Sequence, residues 1–280
     1  MSNLFLDSEH AELYRKYRPG YPKEVFEIID RKLTDITAKL PDDLREKYKR
    51  NERGRWNKAL DVGCGTGQAT LMLVDFVQET VGIDTSQSQI QQATIEYGRN
   101  DPSRVTFLCI DALKISESFK EDSVDLILVC QAIHWFDRPK FFEECLKVLR
   151  PGGVLALVGY GVPVFDDGLI ENINMEYVDI SLKGSPIRST IDDKYAIVIG
   201  ELRSVFPTVE RNDTVVQKLE TTVDDYVGFL STWSNYRSYK RTNPPYPDVL
   251  EAFSEKIKQL APGDTLLKRK IDYFIVIGAK

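Results

Sequence analysis

Histidine is scarce: only His10 and His134 occur in 280 residues. The four cysteines, Cys64, Cys109, Cys130 and Cys145, contain no C-x-x-C pair. A structural zinc site draws about four clustered nitrogen or sulfur ligands, so this usage argues against one and no metal is expected. It fits reduced thiols in a cytoplasmic protein instead. No apolar run approaches the roughly 20 residues of a membrane helix. Met1 to His10 lacks a basic segment followed by an apolar one, so neither a membrane partner nor a secretory signal is expected. An excess of positive charge is missing too. The 37 basic residues stand against 43 acidic ones, a net charge of −6, which disfavours a nucleic-acid partner.

What is present is an ordinary globular composition, 42% hydrophobic and 29% charged, without repeats or low-complexity tracts. The length suits one large α/β domain with an inserted cap. Residues 8–18 read as a helix, and Arg18-Pro19-Gly20-Tyr21-Pro22 interrupts the chain. Pro22 then suits the first turn of a helix over Lys23–Leu40. Residues 41–57 are highly charged and read as a solvated helix and loop.

From Lys58 the rhythm is strand and helix in alternation. Strands are expected at Ala59–Val62, Thr80–Asp84, Val105–Ile110, Val124–Cys130 and Val154–Gly159. Helices are expected at Gln68–Phe76, Ser86–Tyr97 and Arg138–Leu149. Such alternation implies a parallel sheet covered on both faces. Beyond Gly159 the pattern loosens. A helix over Tyr195–Phe206, a strand over Thr214–Thr222, a long aromatic helix over Thr222–Tyr239, a helix over Val249–Leu260 and a last strand over Lys268–Ala279 are expected. The fold class predicted is α/β: a Rossmann-like, seven-stranded, mostly parallel sheet with a helical cap. The division expected is 1–57 as N-terminal helices and lid, 58–160 as the core, and 161–280 as the cap with the last strands.

The chemistry sits in Asp61-Val62-Gly63-Cys64-Gly65-Thr66-Gly67, between a strand and a helix. Glycine lets a ligand approach the backbone closely, and the helix N-terminus offers free N–H groups. Asp84 ends the next strand, where ribose hydroxyls need an acceptor, and Asp111 ends the third, on the same sheet edge. A P-loop would need Gly-Lys-Ser/Thr, but Gln68-Ala69 follow Gly67. A dinucleotide site prefers G-x-G-x-x-G over the G-x-G-x-G found here.

Leu60 to Gly67 resembles motif I of class I S-adenosylmethionine-dependent methyltransferases. Val81-Gly82-Ile83-Asp84 resembles their second motif, and Leu149-Arg150-Pro151-Gly152-Gly153 the turn before their fifth strand. Gln131-Ala132-Ile133-His134-Trp135-Phe136-Asp137, Tyr17-Arg18-Pro19-Gly20-Tyr21-Pro22 and Thr232-Trp233-Ser234-Asn235-Tyr236 are similar to a small-molecule subgroup that includes trans-aconitate methyltransferase-like proteins. The resemblance implies S-adenosyl-L-methionine as cofactor and S-adenosyl-L-homocysteine as product. It implies that Gly63, Cys64, Gly65, Thr66 and Gly67 shape the loop under the methionine part and that Asp61 faces its ammonium. Asp84 with Thr85 would serve the ribose, Asp111 with Ala112 the adenine edge, and Gln131 the sulfonium side. Tyr14, Tyr17 and Arg18 would form a lid, with Arg18 on the cofactor carboxylate.

The acceptor is a separate question. His134 follows the fourth strand at the edge where the methyl should point. As a general base it would serve a phenol, which is protonated at neutral pH; a carboxylate needs none. Alternatively it only orders the loop or binds the substrate. Tyr17, Tyr21, Trp135, Tyr160, Trp233 and Tyr236 are the candidate walls of an apolar slot. Arg18, Arg188, Arg237 and Arg241 are the candidates for a polyacid. The expectation is O-methylation of a small molecule, a phenol first and a carboxylic acid as the alternative, by a monomer or homodimer. A protein or nucleic-acid methyltransferase, or a non-catalytic binding protein, is the reading from another class. Asn243-Pro244-Pro245-Tyr246 resembles the N-methylating signature but lies far from the fourth strand.

Overall fold

A computed structural model describes residues 8–97, 104–181, 186–241 and 248–280. Asn243 to Pro247, and the side chains of His10 and Arg188, lie outside this description. Nine strands form around one sheet: β1 (Trp56–Val62), β2 (Val77–Asp84), β3 (Val105–Cys109), β4 (Val124–Cys130), β5 (Leu149–Tyr160), β6 (Val164–Phe165), β7 (Thr208–Asn212), β8 (Val216–Thr221) and β9 (Leu267–Ala279). The spatial order is β3-β2-β1-β4-β5-β9, with β7 on the far edge of β9. β1 to β5 pair in parallel, and β9 runs antiparallel between β5 and β7.

The mostly parallel α/β sheet is as expected, but its seventh strand is β7, and the strand expected over Thr214–Thr222 lies in a second layer as β8. The near-continuous apolar strands suit a sheet buried on both faces. On one face α2 (Lys23–Thr37) seats Val25, Phe26, Ile29 and Leu33, beside α4 (Gln68–Met72). On the other lie α6 (Ile115–Ser118), α7 (Arg138–Val148) and α10 (Ala196–Arg203). α5 (Gln87–Glu96) packs on β2 and β3, with Ser86 capping its first turn.

β9 is long because it serves two sheets. Its residues 275–279 pair with both β5 and β7, whereas residues 267–272 pair with β8 and, at 269–270, with β6. This second, antiparallel layer carries the cap: α8 (Gly168–Ser181), α11 (Val223–Ser231), α12 (Ser234–Arg241) and α13 (Val249–Leu260), packed through Tyr177, Tyr226, Phe229 and Phe253. The remaining helices are α1 (Ser8–Tyr17), α3 (Asp42–Lys47) and α9 (Pro186–Asp192).

Three sequence expectations need correction. β7 was not foreseen; its residues are mostly exposed or half-buried and give no alternation to read. The single helix expected over Thr222–Tyr239 is two, α11 and α12, broken at Thr232-Trp233. The charged run 41–57 is not wholly surface. Arg50 reaches back to both oxygens of Asp30, and Trp56 is buried as the first residue of β1 with its indole N–H on the same carboxylate.

A buried ion pair fastens the base of the sheet. Arg150 Nε donates to Asp125 Oδ1 at 2.6 Å, and the other carboxylate oxygen accepts the N–H groups of Asn57 and Lys58. Arg150 also donates to Thr37 Oγ1 and to the Pro151 carbonyl. Both side chains are almost fully enclosed. Asp125→Ala leaves a buried guanidinium and two N–H groups unpaired, so it should cost about 3–5 kcal/mol. Urea denaturation measures it. A loss below about 1 kcal/mol would show that the pair does not hold the sheet.

Helix α1 is also seated by a close approach. A Cβ on Gly228 of α11 would stand 2.5 Å from the ring of Tyr17. Gly228→Val should therefore displace α1 and weaken cofactor binding severalfold, with little change in melting temperature. Unchanged binding in calorimetry would show that α1 does not need this seat.

Candidate active site

The glycine turn is built at the carboxyl end of β1. Gly63, Gly65 and Gly67 all take positive φ, at 73°, 54° and 86°, where a side chain is strained. They differ in what a side chain would meet. A Cβ on Gly63 would lie 2.7 Å from Ala132, and one on Gly67 would lie 2.8 Å from the ring of Phe107. These two are glycines for packing. A Cβ on Gly65 would find nothing nearer than Gln89 Oε1 at 3.8 Å, so its backbone lies open to a ligand. Gly82 of β2 makes room for the same Phe107 ring, and neither residue is visible in the motif itself.

Asp84 holds this loop from β2. Its Oδ2 accepts Gly65 N–H at 3.0 Å and its Oδ1 accepts Ser86 N–H at 2.8 Å. A carboxylate has about four acceptor positions, so hydroxyl donors can still be received. Burial raises its affinity for a proton. Asp61 is fully buried. Thr70 donates to its Oδ2 at 2.6 Å, while its Oδ1 has no partner. Burial first, then the charge of Asp84, pushes Asp61 up to about 7. Thr66 Oγ1 and Gln89 Oε1 are also buried without a partner. Asp111 caps a short turn through Leu113 N–H, with Ala112 buried behind it. Thr85 is exposed beside Asp84, and Cys64 is buried with its thiol pushed well up by burial. The donor set fits a polar ligand carrying both hydroxyls and a cation.

Next to this loop a cleft of about 780 Å³, counted to its open mouth, is lined by Tyr14, Arg18, Gln131, His134, Trp135, Tyr160 and Trp233. Gln131 takes φ 53°, unusual for a non-glycine residue, and donates to the Tyr160 carbonyl. Arg18 donates from Nε to Thr232 Oγ1 at 2.9 Å and from Nη1 to Tyr160 Oη at 3.0 Å. Thus one guanidinium joins lid, sheet and cap, at the break between α11 and α12. His134 lies in the turn after β4 with its ring 5.2 Å from Trp135. Its Nδ1 is buried without a partner. Burial, then the charges of Arg18 and Arg138, hold its pKa down to about 4.

Three residues expected at this cleft are not among its lining. Tyr17 packs on Gly228. Tyr21 stacks among Phe26, Tyr160 and Tyr273. Tyr236 is buried in the cap, its hydroxyl on Asp248. Arg237 and Arg241 also fall outside the lining. In their place the structure brings Gly161, Val162, Ile191, Asp192, Ser234 and Asn235. Ser234 and Asn235 lie inside the Thr232–Tyr236 motif. Ile191 and Asp192 come from a stretch without any readable pattern. Among the described residues no cluster of histidine, cysteine and carboxylates is placed to hold a metal, all four cysteines are free, and no helix is long and apolar enough to cross a membrane.

The chain matches a family described as a methyltransferase domain over residues 60–157, the segment from β1 to β5. A Dictyostelium discoideum protein named as a methyltransferase is 26% identical over 96% of this chain and 93% of its own length. A Saccharomyces cerevisiae protein named as an S-adenosylmethionine-dependent methyltransferase is 24% identical over 81% of this chain and 86% of its own. A solved structure from Anaeromyxobacter dehalogenans, titled as a type II methyltransferase, superposes with a TM-score of 0.67 at 25% identity, over 94% of this chain and 98% of that one. Strand order, glycine turn and edge carboxylates agree with these likenesses, and the chain is a class I S-adenosylmethionine-dependent methyltransferase.

Proposed function

We propose that the enzyme methylates an oxygen of a small, flat molecule, and that a carboxylate is the better-suited acceptor. When bound, S-adenosylmethionine supplies a methyl on a sulfonium, which the acceptor oxygen takes as the carbon–sulfur bond breaks and its electron pair stays on sulfur. Asp61 Oδ1 faces the ammonium of the cofactor, Asp84 receives its ribose hydroxyls, and Arg18 takes its carboxylate. Thr85 flanks the ribose beside Asp84, Asp111 and Ala112 edge the adenine, and Tyr14 and Gln131 close the methionine half. Residues 1–57 act as lid, 58–160 as cofactor core and 161–280 as acceptor cap.

The observation that carries the acceptor reading is the setting of His134 in the cleft wall, where its Nδ1 is buried without a partner and burial with the charges of Arg18 and Arg138 lowers its basicity. A base whose conjugate acid has a pKa near 4 is far from the operating optimum for taking a phenolic proton, whose own pKa is about 10. A carboxylate arrives ionised. Neutral His134 then donates its one ring N–H to the carboxylate or positions the acceptor between Trp135, Tyr160 and Trp233. The aromatic walls support a phenol as the second reading. Alignment between such walls supplies up to about 7–11 kcal/mol of barrier lowering. The likeness to trans-aconitate methyltransferase-like proteins favours an acid as well.

A screen of carboxylic acids and phenols with labelled cofactor tests this. Methyl esters should dominate, with kcat/KM for acids, measured at saturating cofactor, flat between about pH 5.5 and 8 and less than tenfold lost in His134→Ala. Methyl ethers, with an inflection near 6.5 and a loss of about 10²-fold or more in that variant, would establish a phenol and a basic His134 instead.

Asp61 makes cofactor affinity depend on pH. Its raised pKa keeps it largely protonated at pH 5.5 and ionised by pH 8. The ammonium needs the ionised form, so affinity for S-adenosylhomocysteine should climb as pH rises through about 7. It should fall again at more alkaline pH, where the ligand's own amine loses its proton. The sign for stability is opposite: the ligand-free fold is favoured below about 4 and loses that contribution as pH passes about 7. Calorimetry at a series of pH values measures the first effect, and Asp61→Asn should abolish the climb. A climb that persists in Asp61→Asn assigns it to another group.

A further inference from the structure

The cap contains a second cation that no carboxylate neutralises among the described residues. Arg269 lies in the part of β9 that pairs with Phe165 of β6 on one edge and Leu219 of β8 on the other. It is 6% exposed. Its Nε and Nη1 are buried and have no hydrogen-bond partner. Among the described residues no carboxylate forms an ion pair with it. Its guanidinium carbon sits 5.1 Å from the ring centre of Tyr226 and 5.3 Å from that of Phe229. Two such contacts offset only part of what it costs to bury an unpaired charge. An apolar side chain of similar volume would fill the same space without that cost, so the charge itself calls for a role.

Its position relative to the cleft supplies one. The ring of Phe229 that carries Arg269 also carries Arg18, at 5.3 Å, and meets Trp233 edge-on at 5.7 Å. Arg18 and Trp233 are walls of the acceptor cleft. The two guanidinium carbons are therefore within about 11 Å of each other. Arg18 has oxygen partners on Tyr160 and Thr232 and, in the reading above, the cofactor carboxylate. Arg269 has none of these.

We propose that Arg269 is a specificity-determining residue, whose charge behind Phe229 selects acceptors bearing an anionic group, a carboxylate above all, over neutral molecules of the same shape. This rests on the cleft being the acceptor site. Arg269 acts across the ring rather than by touching the acceptor, so it is a positioning residue for the anion. Unit charges about 10 Å apart at an effective dielectric of about 20 alter an affinity by roughly ten- to twentyfold. Methylation of a carboxylate removes the anion, so the same charge distinguishes substrate from ester product and favours release of the ester.

The test measures binding, not turnover. Enzyme saturated with S-adenosylhomocysteine is titrated calorimetrically with benzoate and with benzamide, in the wild type, Arg269→Met, Arg269→Gln and Arg269→Lys, each checked by thermal melting. Wild type should bind benzoate roughly tenfold more tightly than benzamide. The two neutral variants should lose that preference through weaker benzoate binding alone, and the lysine variant should keep most of it. Should the neutral variants not fold, wild type and the lysine variant must still both show the preference. No saturable benzoate binding, no preference in the wild type, or an undiminished preference in a folded neutral variant each overturns the proposal. Because no methyl is transferred, an ether-forming enzyme that retains the anion preference would sink the carboxylate reading and leave Arg269 in its role.

Discussion

The site depends on one carboxylate. Asp84 accepts Gly65 N–H with one oxygen and Ser86 N–H with the other, so the glycine turn after β1 and the helix start after β2 are a single rigid piece. Charge-assisted hydrogen bonds of this kind are among the stronger ones a protein makes. With the loop fixed, Gly63 and Gly67 close onto Ala132 and Phe107, and only Gly65 is left with open space before it. The same arrangement brings Asp61 near enough to Asp84 for the Asp84 charge to disfavour its ionisation. A buried acid at half-ionisation, with an oxygen lacking any partner, is poorly placed in the protein alone. A ligand with a cationic end resolves that conflict, which explains why this turn suits a sulfonium amino acid better than a diphosphate.

The opposite wall of the site has the opposite sign. Arg18 lines the cleft and Arg269 lies behind Phe229, and burial with the charges of Arg18 and Arg138 holds His134 neutral. The cap stands where it does because β9 leaves the core sheet and continues as the middle strand of a small antiparallel layer. Arg18 then ties lid to cap through Thr232, at the residue where α11 gives way to α12. Acids at the strand ends and guanidinium groups under the cap give the site a dipole along its length. A zwitterionic methyl donor can lie along that dipole with its amine at one end and its carboxylate at the other.

How much of this was legible follows from how local each feature is. The strands from Val77 to Tyr160 and their helices announce themselves through apolar runs, glycine turns and caps within a few residues of one another. Motif I, Asp84 and Asp111 were readable for the same reason. β7 was not, since Thr208–Asn212 lies at a sheet edge, and it is placed by pairing with Ala279 to Ile275 rather than by its own pattern. The break at Thr232 was hidden because its carbonyl and hydroxyl are satisfied from Arg18, 214 residues away. Tyr17, Tyr21 and Tyr236 were chosen as aromatic residues near motifs. The structure sends them instead to packing positions, the commoner fate of aromatic side chains at helical spacing. Arg269 gave no signal, because an arginine in the basic run Lys268-Arg269-Lys270 looks solvated. Its isolation is a property of the two sheets that meet around it.

That isolation bears on the chemistry as well as on recognition. Transfer of a methyl cation to a carboxylate destroys two charges, one on the sulfonium and one on the acceptor. A cation directly on the reacting oxygen would stabilise the anion more than the transition state, in which its charge is partly spent, and would slow the step. A cation one ring away avoids most of this penalty. Attraction at that distance still guides an anion into the cleft, yet varies little as charge leaves a single oxygen. The reacting oxygen needs only a neutral neighbour able to orient it, and a histidine held down to a pKa of about 4 is such a neighbour. For a carboxylate acceptor, as proposed, the distance of Arg269 from the cleft and the weak basicity of His134 would be two consequences of the same requirement: an anion must be drawn in, but not held at the atom that reacts.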